Sequence, residues 1–99
     1  MDAIVLKHWF EDMDGAEFLK FSRIPESDRL HPSMEVCGIL KIASLLTDPS
    51  KCDMSAEHDV LYLPNAAEFV ATMTIDDAIY LSRCGIMWES QFDCFYMFT

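Results

Sequence analysis

His58–Cys84, HDVLYLPNAAEFVATMTIDDAIYLSRC, is the stretch whose reading decides the fold. Leu61-Tyr62-Leu63 and Phe69-Val70-Ala71-Thr72 are rich in residues that suit a pleated surface. Pro64-Asn65 lies between them. Pro presets φ at the first central position of a turn and Asn tolerates the second, so the pattern predicts a β-hairpin closed there. Thr74 then precedes Ile75-Asp76-Asp77, a T-x-x-D cap whose acidic first turn suits the positive end of a helix. From that start Ile75, Ala78, Ile79, Ser82 and Ile86 share a face, and Gly85 is placed to stop the helix. A hairpin running into a helix marks an α+β domain.

Downstream, Gln91–Thr99 reads QFDCFYMFT. Phe92, Cys94, Tyr96 and Phe98 fall on one side of a strand, and Asp93, Phe95 and Met97 on the other. A strand apolar on both faces reads as an interior strand or as one covered by a helix and a partner, and Ile86-Met87-Trp88 is its expected hairpin mate across Glu89-Ser90-Gln91. Upstream, Ser33 stands as an N-cap before Val36, Ile39, Leu40, Ala43 and Leu46, a continuous helical stripe that Asp48-Pro49 ends. Gly38 weakens that helix unless close packing needs it. Residues 47–57, TDPSKCDMSAE, read as an irregular loop.

At the N-terminus, AIVLKHWF (3–10) has the β-branched and aromatic composition of a strand. Asp14-Gly15 follows as a turn, so an N-terminal hairpin is the simplest reading. A short helix capped by Asp14 with Glu17 three positions on is its competitor. Residues 22–33, with Pro25 and Pro32, form a polar connection. The sum is one α+β domain spanning residues 1–99: an antiparallel sheet of about four to six strands with two hairpins, and two helices packed on one face.

The charge balance bears on function. Ninety-nine residues carry 17 Asp and Glu against 7 Lys and Arg, a formal net charge of −10. Counterion release at nucleic acids and attraction to anionic lipids both need the opposite sign, which argues against direct binding to DNA, RNA or a membrane. Such a charge steers the chain towards basic protein surfaces, and it also keeps a 52% apolar chain in solution. Four cysteines without a C-x-x-C, after an acidic Met1-Asp2 start, suggest reduced thiols in the cytoplasm, that of a host if the chain is viral.

Motifs for chemistry are sparse. Cys52 and His58, with Asp53 and Glu57 between them, match no zinc spacing. His8 and His31 lie in no nucleophile signature, and three glycines are few for a phosphate cradle. No cofactor, metal or catalytic residue is expected. Asp76 and Asp77 are explained by the helix they begin. Glu11, Asp12, Asp14 and Glu17 form the densest acidic group, extended by Glu26 and Asp28, with Trp9 as an aromatic neighbour. These seven residues are the candidate partner-binding set. Trp88, Phe95 and Met97 are further candidates for an interface, where aromatic and methionine side chains concentrate.

Small acidic phage proteins that block CRISPR effectors, restriction enzymes or other nucleases have this profile, and the chain resembles them in size and charge. What that likeness implies is a non-enzymatic inhibitor that mimics DNA or RNA and occupies the basic groove of a nuclease or nucleic-acid-binding effector. One alternative is an interaction or immunity-type module, homodimeric or not, binding through an apolar face. Another is a small metal- or thiol-dependent enzyme.

Overall fold

A computed structural model describes residues 3–46, 48, 50, 53–65, 70–89, 91 and 94–98, and the side chains of Ala3, Met13, Asp14 and Asn65 are left aside. Helix α1 (Ala3–His8) runs into a π-helical turn, Trp9–Met13, and a 3-10 turn, Asp14–Ala16. Two more 3-10 turns, Phe21–Arg23 and Glu26–Asp28, lead to α2 (Met34–Leu45). Strands β1 (Ser55–Glu57) and β2 (Val60–Asn65), a 3-10 turn at Val70–Thr72, and α3 (Ile75–Arg83) follow. The chain closes with β3 (Met87–Glu89) and β4 (Cys94–Phe98). All strand pairs are antiparallel, in the order β1-β2-β4-β3. Among the described residues the fold is α+β, with four strands and three α-helices.

The extra helix replaces the expected N-terminal hairpin. Residues 3–10 have strand composition but helical spacing: Leu6, Trp9 and Phe10, at i, i+3 and i+4, are buried, while Ile4, Val5, Lys7 and His8 are exposed. Alternation would have put Trp9 and Phe10 on opposite faces. Both go inward, and the Phe10 ring meets Phe95 edge-on at 5.1 Å.

The hairpin expected at Pro64-Asn65 is also corrected. Pro64 is a buried residue inside β2, and residues 70–72 form a 3-10 turn; Phe69 lies outside the described residues. The partner of β2 is upstream, in the segment read as loop. Glu57 pairs with Val60 across His58-Asp59, and His58 takes a left-handed φ of 55°. A strand interior tolerates Pro only where no N–H is needed. Pro64 sits in the register shift between Tyr62 and Asn65 on the β4 side, beyond the stretch that pairs with β1.

From Thr74 onward the chain follows its local signals. Thr74 Oγ1 accepts from the Asp77 N–H and Asp77 Oδ2 accepts from the Thr74 N–H, a complete capping box. At the other end Gly85 takes φ 83°, with Gly85 N–H bonding Ser82 O and Ile86 N–H bonding Leu81 O, the pair of bonds that closes a Schellman motif. Met87 pairs with Tyr96, Trp88 with Phe95 and Glu89 with Cys94, and β4 lies inside the sheet as its two apolar faces require.

Helix α2 is rotated from its expected stripe. Cys37, Gly38 and Ile42 face inward, whereas Val36 and Leu40 are exposed. Gly38 accounts for this. A Cβ there would lie 3.1 Å from Cys84 Cβ and 3.2 Å from Ile86 Cδ1, so α2 presses its glycine against the end of α3. Lys41 joins the opposite ends of that packing, with Nζ 2.9 Å from Asp77 Oδ1 and 5.0 Å above the Tyr80 ring. One core results, from Leu6 and Phe10 through Ile42, Leu81 and Ile86 to Phe95 and Met97.

Candidate partner-binding surface

The acidic group at 11–17 does not act as a unit. Within the π-helical turn Glu11 and Asp12 point to solvent, and His8 Nδ1 lies 3.2 Å from Asp12 Oδ2 across an exposed turn, a pair of small worth. The Asp14 backbone continues into the 3-10 turn, while its side chain lies outside the described set. Glu17 turns back towards the fold. Its Oε2 takes the Arg83 Nε–H at 2.5 Å and its Oε1 takes Arg23 Nη1 at 3.1 Å. The Arg83 hydrogen bond is the main reason that the Glu17 carboxyl is held below the usual glutamate range. Arg23 also donates to Ala16 O at 3.0 Å, fastening 21–23 to the acidic turn.

Glu26 and Asp28 occupy the next 3-10 turn with exposed side chains, and the Asp28 carbonyl accepts the Tyr80 hydroxyl at 2.9 Å. Glu11, Asp12, Glu26 and Asp28 are thus displayed to solvent, while Glu17 is a structural tie.

Trp9 is a core residue, 6% exposed, with its ring edge-on to Phe10 at 4.9 Å. A burial of this depth removes it from any surface set. Phe95 and Met97 are likewise sealed, at 0% and 1%. Trp88 is half-buried against Phe95 at 5.2 Å, and its indole N–H is enclosed without an acceptor among the described residues. Composition could not separate these residues from surface aromatics, because β4 faces two ways. Other apolar side chains reach solvent, the most exposed being Ile4 at 71%, Phe98 at 61% and Leu19 at 53%. Leu19, at φ 62° beside the Gly85 corner, carries no sequence mark of that role.

At the start of α3, Asp76 is exposed and Asp77 is bonded to Thr74 and Lys41. Burial works to raise the Asp77 pKa, but the Lys41 and Thr74 bonds outweigh it and hold the carboxyl below its ordinary value.

Catalytic geometry is sparse. A shallow hollow of about 290 Å³ is lined, among the described residues, by Gly15, Phe18, Lys20 and Met87. Among the described residues no three of His, Cys, Asp and Glu converge as metal ligands, and Cys52 lies outside them. No described helix is long and apolar enough to cross a membrane. Compared with known proteins, the chain matches no family model, no curated protein and no solved structure.

Proposed function

We propose that the chain works by binding, as an acidic inhibitor that occupies a basic, nucleic-acid-binding surface of a target protein. The observation that carries this reading is the division of charge. The chain has 7 Lys and Arg against 17 Asp and Glu. Two of those cations, Arg23 and Arg83, are turned onto the single carboxylate of Glu17, and Lys41 onto Asp77. Arg29 lies over the Phe21 ring at 4.7 Å with its Nε–H on Ile24 O. Arg23, Arg29, Lys41 and Arg83 are thus engaged within the chain, and although Lys7 and Lys20 are exposed, they are outnumbered by the solvent-facing carboxylates Glu11, Asp12, Glu26, Asp28 and Asp76. Carboxylates presented this way compete with backbone phosphates for Lys and Arg, and long-range attraction speeds the encounter at low salt. Phage anti-CRISPR proteins and nuclease inhibitors that mimic DNA or RNA are the class this mode of action fits.

The test is capture on the immobilised chain, from a cell extract, with elution by duplex DNA or by rising NaCl. Nucleases or nucleic-acid-binding proteins released by either eluent are expected. Proteins held equally well through both would count against the reading.

A second reading rests on the exposure of Ile4, Phe98 and Leu19. It makes the chain an interaction module, and a homodimer is its simplest form. Sedimentation at low and high ionic strength separates the two. Self-association that survives high salt favours the apolar face, and a monomer at both removes the homodimer.

A further inference from the structure

The two faces of the sheet differ in character. Cross-strand partners share a face, so the register sorts the side chains. Leu61, Leu63, Trp88, Phe95 and Met97 turn one way and belong to the core or pack against it. Val60, Tyr62, Met87, Tyr96 and Phe98 turn the other way, and none of them packs into that core. Their rings form one group. The centroids of Tyr62 and Tyr96 are 6.4 Å apart, and Tyr96 and Phe98 stand edge-on at 6.0 Å. Phe98 is exposed and Val60, Tyr62 and Tyr96 are half-buried, while towards Cys94 the face is closed.

The charge on this face has one sign. The four strands hold two carboxylates, Glu57 and Glu89, and no Lys or Arg. Glu57 pairs with Val60 and Val60 with Phe98, whereas Glu89 pairs with Cys94. The register therefore puts the two carboxylates at opposite corners of the face. They are three strand spacings apart, roughly 14 Å, and offset by four residues along β4, roughly 13 Å, with the Tyr62–Tyr96 pair midway. Burial and then the charge of Glu89 push the Tyr96 pKa up, so that carboxylate lies within electrostatic reach of the central ring.

We infer that this face docks an extended, arginine-bearing segment of a partner protein. A guanidinium stacks flat on an aromatic ring and bonds a carboxylate with two parallel N–H groups, so rings rimmed by carboxylates suit it better than the compact ammonium of Lys. Side chains on one side of an extended segment recur about every 6.6–7 Å, close to the ring spacings of 6.4 and 6.0 Å. Alternate arginines thus lie over the rings, and those at the ends of the segment reach Glu57 and Glu89. Nucleobases also stack on aromatic sheet faces, but their phosphates would meet these carboxylates and a net charge of −10. A second copy of the chain would bring its own Glu57 and Glu89 to a face whose strands hold no cation. The surface uses none of Glu11, Asp12, Glu26 and Asp28, and it shares with the proposed function only the basic character of the partner.

The test is NMR titration of the full chain, at physiological salt, with a short peptide of alternating Arg and Thr and with its Lys counterpart. The Arg peptide should move the ring signals of Tyr62, Tyr96 and Phe98 most, and bind at least about threefold more tightly than the Lys peptide. Phe98→Ala, at an exposed position, should weaken the Arg peptide at least about threefold. No binding, equal affinity for the two peptides, or an affinity unchanged in Phe98→Ala overturns the inference. The same ring shifts on adding a single-stranded RNA oligomer, or on concentrating the chain alone, also overturn it and give the face to nucleic acid or to a second copy. Shifts confined to the turns that carry Glu11, Asp12, Glu26 and Asp28 overturn it too, while leaving the proposed function standing. The wild-type rings are read directly, so these outcomes do not wait on a variant folding.

Discussion

The turn at residues 9–17 and the start of α3 face the same problem, and they divide their side chains in the same way. In the turn, Trp9 and Phe10 enter the core, Glu11 and Asp12 go to solvent, and Glu17 comes back to Arg23 and Arg83. At α3, Asp77 returns to Thr74 and Lys41 while Asp76 stays outside. Carboxylates adjacent in sequence thus serve opposite purposes, and the position of a few cations decides which. The two regions differ in reach. Asp77 finds its cap three residues away, whereas Arg83 is 66 residues from Glu17. One pairing is built by the helix itself; the other exists only once the chain has folded over it.

The strongest test of that division is Trp9→Ala, which should cost about 3–5 kcal/mol as a large buried aromatic is removed. Phe98→Ala, at a side chain 61% exposed, should stay within about 0.5 kcal/mol. Urea denaturation of both gives the comparison, and a Trp9→Ala loss as small as that of Phe98→Ala would return Trp9 to the surface.

Next in size is Asp77→Ala. It removes half the capping box and leaves Lys41 without its carboxylate, a loss of about 1–2 kcal/mol. Asp76→Ala should change stability by less than about 0.5 kcal/mol. Equal effects from the two would contradict the assignment of one to the fold and the other to solvent.

A smaller effect is expected with pH. Both Glu17 and Asp77 have folded-state pKa values below their ordinary ones. A depressed carboxylate contributes fully above its unfolded pKa, and that contribution is lost as pH falls towards the folded value. Stability should therefore decline from about pH 4 downward, and Asp77→Asn should flatten the decline. Denaturant midpoints from pH 7 to pH 2 for the two proteins would reveal it; parallel curves would exclude Asp77 as a contributor.

The stretch from Thr74 to Phe98 was legible because each of its signals is local. The Thr74-Asp77 box, the Gly85 corner and the two-faced strand at 94–98 all act within a few residues. Where the reading failed, a distant partner had the deciding vote. Pro64-Asn65 has turn chemistry, yet β4 offered a bulge that tolerates Pro and kept both residues in β2. The apolar stripe of α2 gave way to the Gly38 face because only that face could meet Cys84 and Ile86. At 3–10 strand composition outweighed the helical spacing of Leu6, Trp9 and Phe10, which was there to be read. Of the candidate site, the exposed carboxylates were visible as charge. The withdrawal of Glu17 was not, since Arg83 lies at the far end of α3.

The central claim is that the solvent-facing carboxylates, and not Glu17 and Asp77, which are tied into the fold, engage a basic partner. Its most direct measurement is the affinity for a captured target from about 50 to 500 mM NaCl. Wild-type chain is compared with a variant carrying Glu11→Gln, Asp12→Asn, Glu26→Gln and Asp28→Asn. The account predicts a wild-type affinity that falls at least about tenfold across the series, and a variant that binds weakly at low salt with a flatter slope while keeping its stability. Equal affinities for the two proteins, unchanged by salt, would contradict it.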